Sequence, residues 1–119
     1  MPRPTILVAE PEPNESLSVR KLILETAKYN VITAHSTQEA LDLLQLFPNV
    51  NATVLVMSEA INCETIAENV RRLTDKIIVV MLSPVIGAKC DGADFTLSSH
   101  EPEELVALMR SQLGDPRRE

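Results

Sequence analysis

Short apolar runs alternate with helical stretches along the whole chain. The apolar runs predict five strands, at Thr5–Ala9, Val31–Ala34, Ala52–Met57, Ile77–Leu82 and, more weakly, Phe95–Leu97. The third and fourth runs do not alternate with polar residues, which is typical of strands buried on both faces of a parallel sheet. The pattern therefore predicts an α/β fold in which helices cover the sheet on both sides.

The segments between the predicted strands have helical periodicity and recognisable starts. Candidate N-caps precede three of them, and a proline suited to the first helical turn opens the last: these are Asn14, Ser36, Asn62 and Pro102. Glu39 completes a capping box with Ser36. Four helices are predicted from these signals.

The fourth connection is too short for a full helix. Only residues 84–93 separate the fourth strand from the fifth, close to the lower limit of roughly 10–12 residues for a crossover. Pro84, Gly87 and Gly92 interrupt the segment further. We expect a single turn or an irregular loop between these two strands, where a connecting helix would otherwise lie.

Composition limits the classes of partner. The 119 residues suit a single domain, with a core over about residues 5–113 and a solvated tail over 114–119. The net charge of −6 disfavours binding to nucleic acid and to anionic membranes. No apolar run reaches the roughly 18 residues of a membrane span, and the start of the chain lacks the apolar core of a signal peptide. We expect a cytoplasmic protein in which Cys63 and Cys90 are reduced.

In a parallel sheet, ligands and chemistry lie at the carboxyl ends of the strands. Those ends fall at residues 10–12, at 57–59, at Ser83 and at Ser98. The stretch ILVAEPEP brings Glu10 and Glu12 to the first of them.

Four fragments, in order, resemble the receiver domain of two-component response regulators. ILVAEPEP resembles that family's ILVVDDEP, and TAHSTQEALDLL is similar to its second strand and helix. IIVVMLS is similar to its fourth strand, and GADFTLSSHEPEEL resembles its GADDYLTKPFDPEEL. The resemblance covers about residues 5–113. It implies a flavodoxin-like (βα)5 fold, a doubly wound parallel sheet of strand order 2-1-3-4-5, with the fourth helix shortened or missing.

The resemblance also implies where receiver chemistry would lie. Glu10 matches the first of two magnesium-binding acids, and Pro11 replaces the second. Met57 stands where the phosphoryl-accepting aspartate is expected. Ser83 matches the hydroxyl position, and Ser98 replaces the lysine that pairs with the phosphoryl group. Phe95 matches the aromatic switch position.

These replacements predict that phosphoryl transfer is lost. Transfer needs an oxygen nucleophile and cations that hold the charge on phosphorus-bound oxygens, and a thioether supplies neither. The sequence thus predicts a degenerate receiver, or pseudo-receiver, that is not an enzyme and carries no cofactor. Magnesium is left open through Glu10, Glu12 and Glu59, although we expect the acids to be solvated remnants in a loop.

Three functions follow as hypotheses. The first is a signalling module that acts through protein contacts with a sensor kinase, an output domain or another receiver, or as a homodimer. Receivers commonly use the surface of the fourth helix, fifth strand and last helix for such contacts. The second is a phosphorelay receiver that accepts a phosphoryl group at a non-standard position such as Glu59. The third, a flavin or nucleotide enzyme, is disfavoured because prolines and carboxylates fill the first loop.

Overall fold

A computed structural model describes residues 3–11, 19–85 and 87–116. Five strands and four helices follow one another in the order β1 (Thr5–Ala9), α1 (Val19–Thr26), β2 (Asn30–Ala34), α2 (Thr37–Leu46), β3 (Ala52–Val56), α3 (Cys63–Leu73), β4 (Ile78–Ser83), β5 (Phe95–Ser98) and α4 (Pro102–Leu113). The candidate cap Asn14 and the candidate ligand Glu12 lie outside the described residues.

The strands form one parallel sheet in the order β2-β1-β3-β4-β5. This confirms the predicted doubly wound topology, with all five carboxyl ends on the same edge. The central strand β3 is buried at every position, as its unbroken apolar run predicts. The first and last residues of each strand lie within one residue of the ends of the apolar run that predicted it.

Two apolar layers enclose the sheet. One includes Leu7, Leu55 and Val79 and packs under α2 and α3. The other includes Val8, Val54 and Leu82 and packs under α1 and α4. Alternate residues of β1 to β4 supply the two layers, because successive side chains point to opposite faces.

Local capping sets the ends of two helices as predicted. The Ser36 hydroxyl accepts the Glu39 backbone N–H at 3.1 Å, which starts α2. The Asn62 side chain accepts the Thr65 backbone N–H at 3.0 Å, which starts α3. Both contacts satisfy donors that a helix leaves unpaired in its first turn.

No helix lies between β4 and β5 among the described residues of that connection, as the short spacing predicts. The missing helix leaves one face of the edge strand β5 uncovered, and Thr96 is exposed on it. On the opposite face, Phe95 and Leu97 pack against the layer under α1 and α4. The sequence thus places a polar side chain on the face that no helix covers.

The cysteines are not reduced, contrary to the expectation. Cys63, the first residue of α3, forms a disulfide with Cys90, with Cα atoms 6.2 Å apart. The connection after β4 folds back onto α3 and brings the two together, although 27 residues separate them in sequence.

Candidate functional site

The carboxyl edge of the sheet holds the side chains that the resemblance singled out. Glu10 follows β1, Met57 follows β3, Ser83 ends β4 and Ser98 ends β5. Backbone hydrogen bonds tie these ends together: the Met57 N–H reaches Leu82 O at 2.8 Å, and the Ser99 N–H reaches Ser83 O at 3.0 Å. The ends of β3, β4 and β5 are thus joined into one rim, and Glu10 follows β1, which pairs with β3.

Glu10 is not solvated, and that expectation was wrong. The residue is only 2% exposed, and its carboxylate accepts hydrogen bonds from Arg20 of α1, at 2.8 Å from Nε and 2.7 Å from Nη2. A guanidinium thus lies against the carboxylate that a magnesium ion would need. An ionised carboxylate is stable at this depth only with such a partner.

Met57 presents a thioether at the end of the central strand. Its side chain is 45% exposed, and its sulfur accepts a hydrogen bond from the Ser83 hydroxyl at 3.1 Å. Sulfur of this type is a weak acceptor and a poor ligand for hard cations. The position offers no oxygen that could attack phosphorus.

Ser83 is held within the rim by local contacts. Its hydroxyl oxygen also accepts the Val85 backbone N–H at 3.0 Å and lies 3.3 Å from Val85 O. The residue is 3% exposed. A hydroxyl engaged by Met57 and Val85 is fixed in the absence of any phosphoryl group.

The lysine position is also engaged locally. Ser98 is half-buried, and its hydroxyl accepts the His100 backbone N–H at 3.2 Å. Such a serine turn satisfies a loop donor and supplies no positive charge. Pro11, at the second acidic position, is exposed, and Phe95 packs against the core layer under α1 and α4.

Glu59 and Ser58, two further polar residues near Met57, lie beyond the end of β3. Glu59 is exposed in the turn after the strand. Within the described part of the chain, the buried Ser58 hydroxyl has no hydrogen-bond partner. No group of three or more His, Cys, Asp or Glu residues among residues 3–11, 19–85 and 87–116 could hold a metal ion.

An open depression of about 290 Å³ lies beside Met57. Met81 lies at its base, and Glu59, Glu64 and Lys89 add charged groups. The disulfide between Cys63 and Cys90 forms part of its wall. The sequence did not predict this disulfide wall, because it depends on how the connection between β4 and β5 folds.

Comparisons with known proteins bear on the fold. No family model matches the sequence. The chain is 30% identical over 118 residues to the response regulator GtcR of Aneurinibacillus migulanus. This alignment covers 92% of this chain and 47% of that protein. The chain thus spans about half the length of the curated relative that it matches.

Solved structures show the same fold. A response regulator receiver domain protein from Clostridium thermocellum aligns with a TM-score of 0.76 at 20% identity, over 96% of this chain and 97% of that one. The response regulator TrrA from Thermotoga maritima, solved in complex with Mg²⁺-BeF, aligns with a TM-score of 0.70 at 24% identity, over 92% and 98%.

A chain from the complex of the CheA3 P1 domain with CheY6 of R. sphaeroides aligns with a TM-score of 0.66 at 20% identity, over 95% of this chain and 98% of that one. The chain therefore has the fold of CheY-like receiver domains, and its sequence is similar to that of a response regulator. None of the helices in the described ranges is long and apolar enough to cross a membrane.

Proposed function

We propose that this chain is a pseudo-receiver, a cytoplasmic signalling domain that works through protein contacts and takes up no phosphoryl group. The observation that carries the proposal is the 3.1 Å contact between the Ser83 hydroxyl and the Met57 sulfur. The hydroxyl that would meet a phosphoryl group instead meets a thioether that cannot carry one.

The ion pair between Arg20 and Glu10 supports the same conclusion. A fixed guanidinium beside the carboxylate supplies the positive charge that a divalent ion would bring. The site is therefore electrostatically complete without magnesium. We infer that the domain is not an enzyme and holds no cofactor.

Protein partners are the remaining route for a signal. The complex of a kinase P1 domain with CheY6 gives a precedent among structural neighbours for a sensor kinase as partner. An output domain, another receiver or a second copy of this chain are the other candidates. Glu101, Glu103 and Glu104 are exposed at the start of α4, directly after β5 in the chain. This acidic surface suits a partner with basic side chains.

The test is phosphorylation by a small donor. The purified chain is incubated with acetyl phosphate and Mg²⁺, and its intact mass is measured beside an active receiver domain treated identically. We expect the active receiver to gain the mass of one phosphoryl group and this chain to gain none. Labelling in proportion to protein would overturn the proposal.

A further inference from the structure

The segment between β4 and β5 contacts α3 at three points. We call residues 87–94 the strap. Cys90 is bonded to Cys63, Gly92 lies against Ala67, and Asp94 forms an ion pair with Arg71. The three α3 residues are spaced by four, so they form one stripe along a single face of the helix.

The central fastening is a close contact. Gly92 has φ of +95°, and a Cβ placed on it would lie 2.9 Å from the Ala67 Cβ. The Ala93 N–H closes the turn around it by bonding to Cys90 O at 3.2 Å. Only glycine combines this backbone conformation with this approach to the helix.

The far end is held by several polar contacts. The Asp94 carboxylate also accepts the Val79 backbone N–H at 2.8 Å, and the Asp94 N–H reaches Val79 O at 2.7 Å. Arg71 in turn donates to Ile77 O at 2.8 Å. These contacts anchor the strap to the start of β4 without help from the disulfide.

The first part of the strap, residues 87–91, is held to α3 by the disulfide. We call this part the near end of the strap. Among the described residues, Cys90 is joined to α3 through its bond to Cys63. Both cysteines are partly exposed, and both line the depression beside Met57. A thiol from solution can therefore reach the bond, and its opening changes the wall of the candidate site.

We propose that Cys63 and Cys90 form a redox-active pair that a dithiol reductant opens, releasing the near end of the strap. The proposal rests on the cytoplasmic location proposed above, because disulfides in a reducing compartment are usually transient and regulatory. Reduction would then change the conformation of the strap. The strap and the neighbouring strand β5 would form the surface that a partner protein distinguishes in the two redox states.

Thiol–disulfide exchange opens the bond in two steps. A thiolate of the reductant attacks Cys90 Sγ, the bond between the two protein sulfurs breaks, and Cys63 leaves as a thiolate. Cys63 is the better leaving group because it is the first residue of α3, where the helix N-terminus stabilises negative charge. The second thiol of the reductant then releases Cys90 and becomes a disulfide, and the protein gains two electrons and two protons.

The first experiment measures whether the pair opens in the folded protein. The air-oxidised chain is treated with dithiothreitol in native buffer, alkylated with N-ethylmaleimide and weighed intact. We expect two alkylations to appear together. Disulfide opening that requires guanidinium chloride to unfold the chain, or an oxidised preparation without the bond, would overturn the proposal.

The second experiment measures what opening does. Hydrogen exchange of the reduced chain is compared with that of the oxidised chain. We expect the Ala93 amide to exchange at least about tenfold faster after reduction, while amides of β1 and β3 change less than about twofold. Unchanged exchange in the strap would assign the bond a purely structural role.

A Cys63→Ala/Cys90→Ala variant is the matched control. Its strap should exchange like the reduced wild type and ignore dithiothreitol. If this variant does not fold, the wild-type comparison with and without reductant still decides the question. Neither measurement uses phosphorylation, so a chain that takes up a phosphoryl group would sink the proposed function and leave this inference standing.

Discussion

Arg20 of α1 holds the buried carboxylate of Glu10 through two guanidinium nitrogens, with Nη2 at 2.7 Å. The contact joins the first helix to the first strand at the rim of the sheet. Because Glu10 is 2% exposed, removing the guanidinium leaves a buried charge with its main neutralising group gone. Arg20 is itself about a quarter exposed, which moderates the cost.

We expect Arg20→Ala to lower the free energy of unfolding by about 2 kcal/mol, the range for a hydrogen bond to a buried charged group. Urea denaturation followed by circular dichroism measures the change. The double variant Glu10→Gln/Arg20→Gln is the control and should lose less, because no charge is left uncompensated. An Arg20→Ala variant as stable as the wild type would contradict this role for the pair.

The disulfide should stabilise the folded chain as well as fasten the strap. In the loop-entropy account, a bond between residues 27 apart in sequence destabilises the unfolded chain by about 3.5 kcal/mol. We expect the urea midpoint to fall on reduction with dithiothreitol. A Cys63→Ala/Cys90→Ala variant should show the same midpoint with and without reductant; a wild-type midpoint that reductant leaves unchanged would contradict the expectation.

Gly92 and Gly87 form a matched pair for the packing of the strap. Both have positive φ, +95° and +83°, but a Cβ on Gly87 meets open space, whereas one on Gly92 meets Ala67. We expect Gly87→Ala to cost about 1 kcal/mol from backbone strain alone. Gly92→Ala should cost about 2–3 kcal/mol, because overpacking adds to the strain. Equal losses in urea denaturation would show that the strap does not press on α3.

The acidic start of α4 contains a pKa that can be measured. A side-chain hydrogen bond with Glu101 and the charge of Glu101 raise the pKa of Glu104 above its ordinary value of 4.5. Because the folded-state pKa is raised, the stability from this pair is present below the unfolded value and is lost as pH rises through the folded pKa.

Glu101→Gln should therefore bring the pKa of Glu104 back toward its ordinary value and flatten the pH dependence of stability in that window. NMR titration of the Glu104 carboxyl measures the first effect, and urea midpoints across the window measure the second. Glu103→Gln is the control and should leave the Glu104 pKa in place. A Glu104 pKa that Glu101→Gln does not lower would contradict the assignment.

Met57→Asp tests whether a carboxylate at the end of β3 is enough for phosphoryl uptake. The new carboxylate would lie at the end of β3, where the resemblance places a nucleophile. We expect no labelling by acetyl phosphate, because Arg20 still occupies Glu10 and Ser98 still supplies no positive charge. Met57→Asn is the control for folding. Stoichiometric labelling of Met57→Asp would show that the remaining groups suffice.

The sheet and the missing helix were predictable because they depend on local patterns. Buried strands read as unbroken apolar runs, and Pro84, Gly87 and Gly92 mark a connection too short for a helix. The position of Met57 followed from the resemblance, since it lies one residue beyond a clearly defined strand. These features need no knowledge of tertiary contacts.

Two contacts at the rim were not predictable in this way. A proline follows each of Glu10 and Glu12, which indicates a solvated loop, but the burial of Glu10 depends on how α1 packs against β1. The basic residue Arg20, ten positions after Glu10, was the one sign in the sequence that the carboxylate has an ion-pair partner. The bond between Cys63 and Cys90 depends on a turn at Gly92 that fits against Ala67, a contact that sequence spacing does not reveal.

The uptake of beryllofluoride, which mimics a phosphoryl group in receivers, tests the central claim most directly. Fluorine NMR of the folded chain with beryllofluoride and Mg²⁺ would show any bound species. We expect only the signals of free beryllofluoride, since Met57 places a thioether directly after β3 and Glu59 is exposed in the turn beyond it. A bound signal that requires Mg²⁺ would contradict the account.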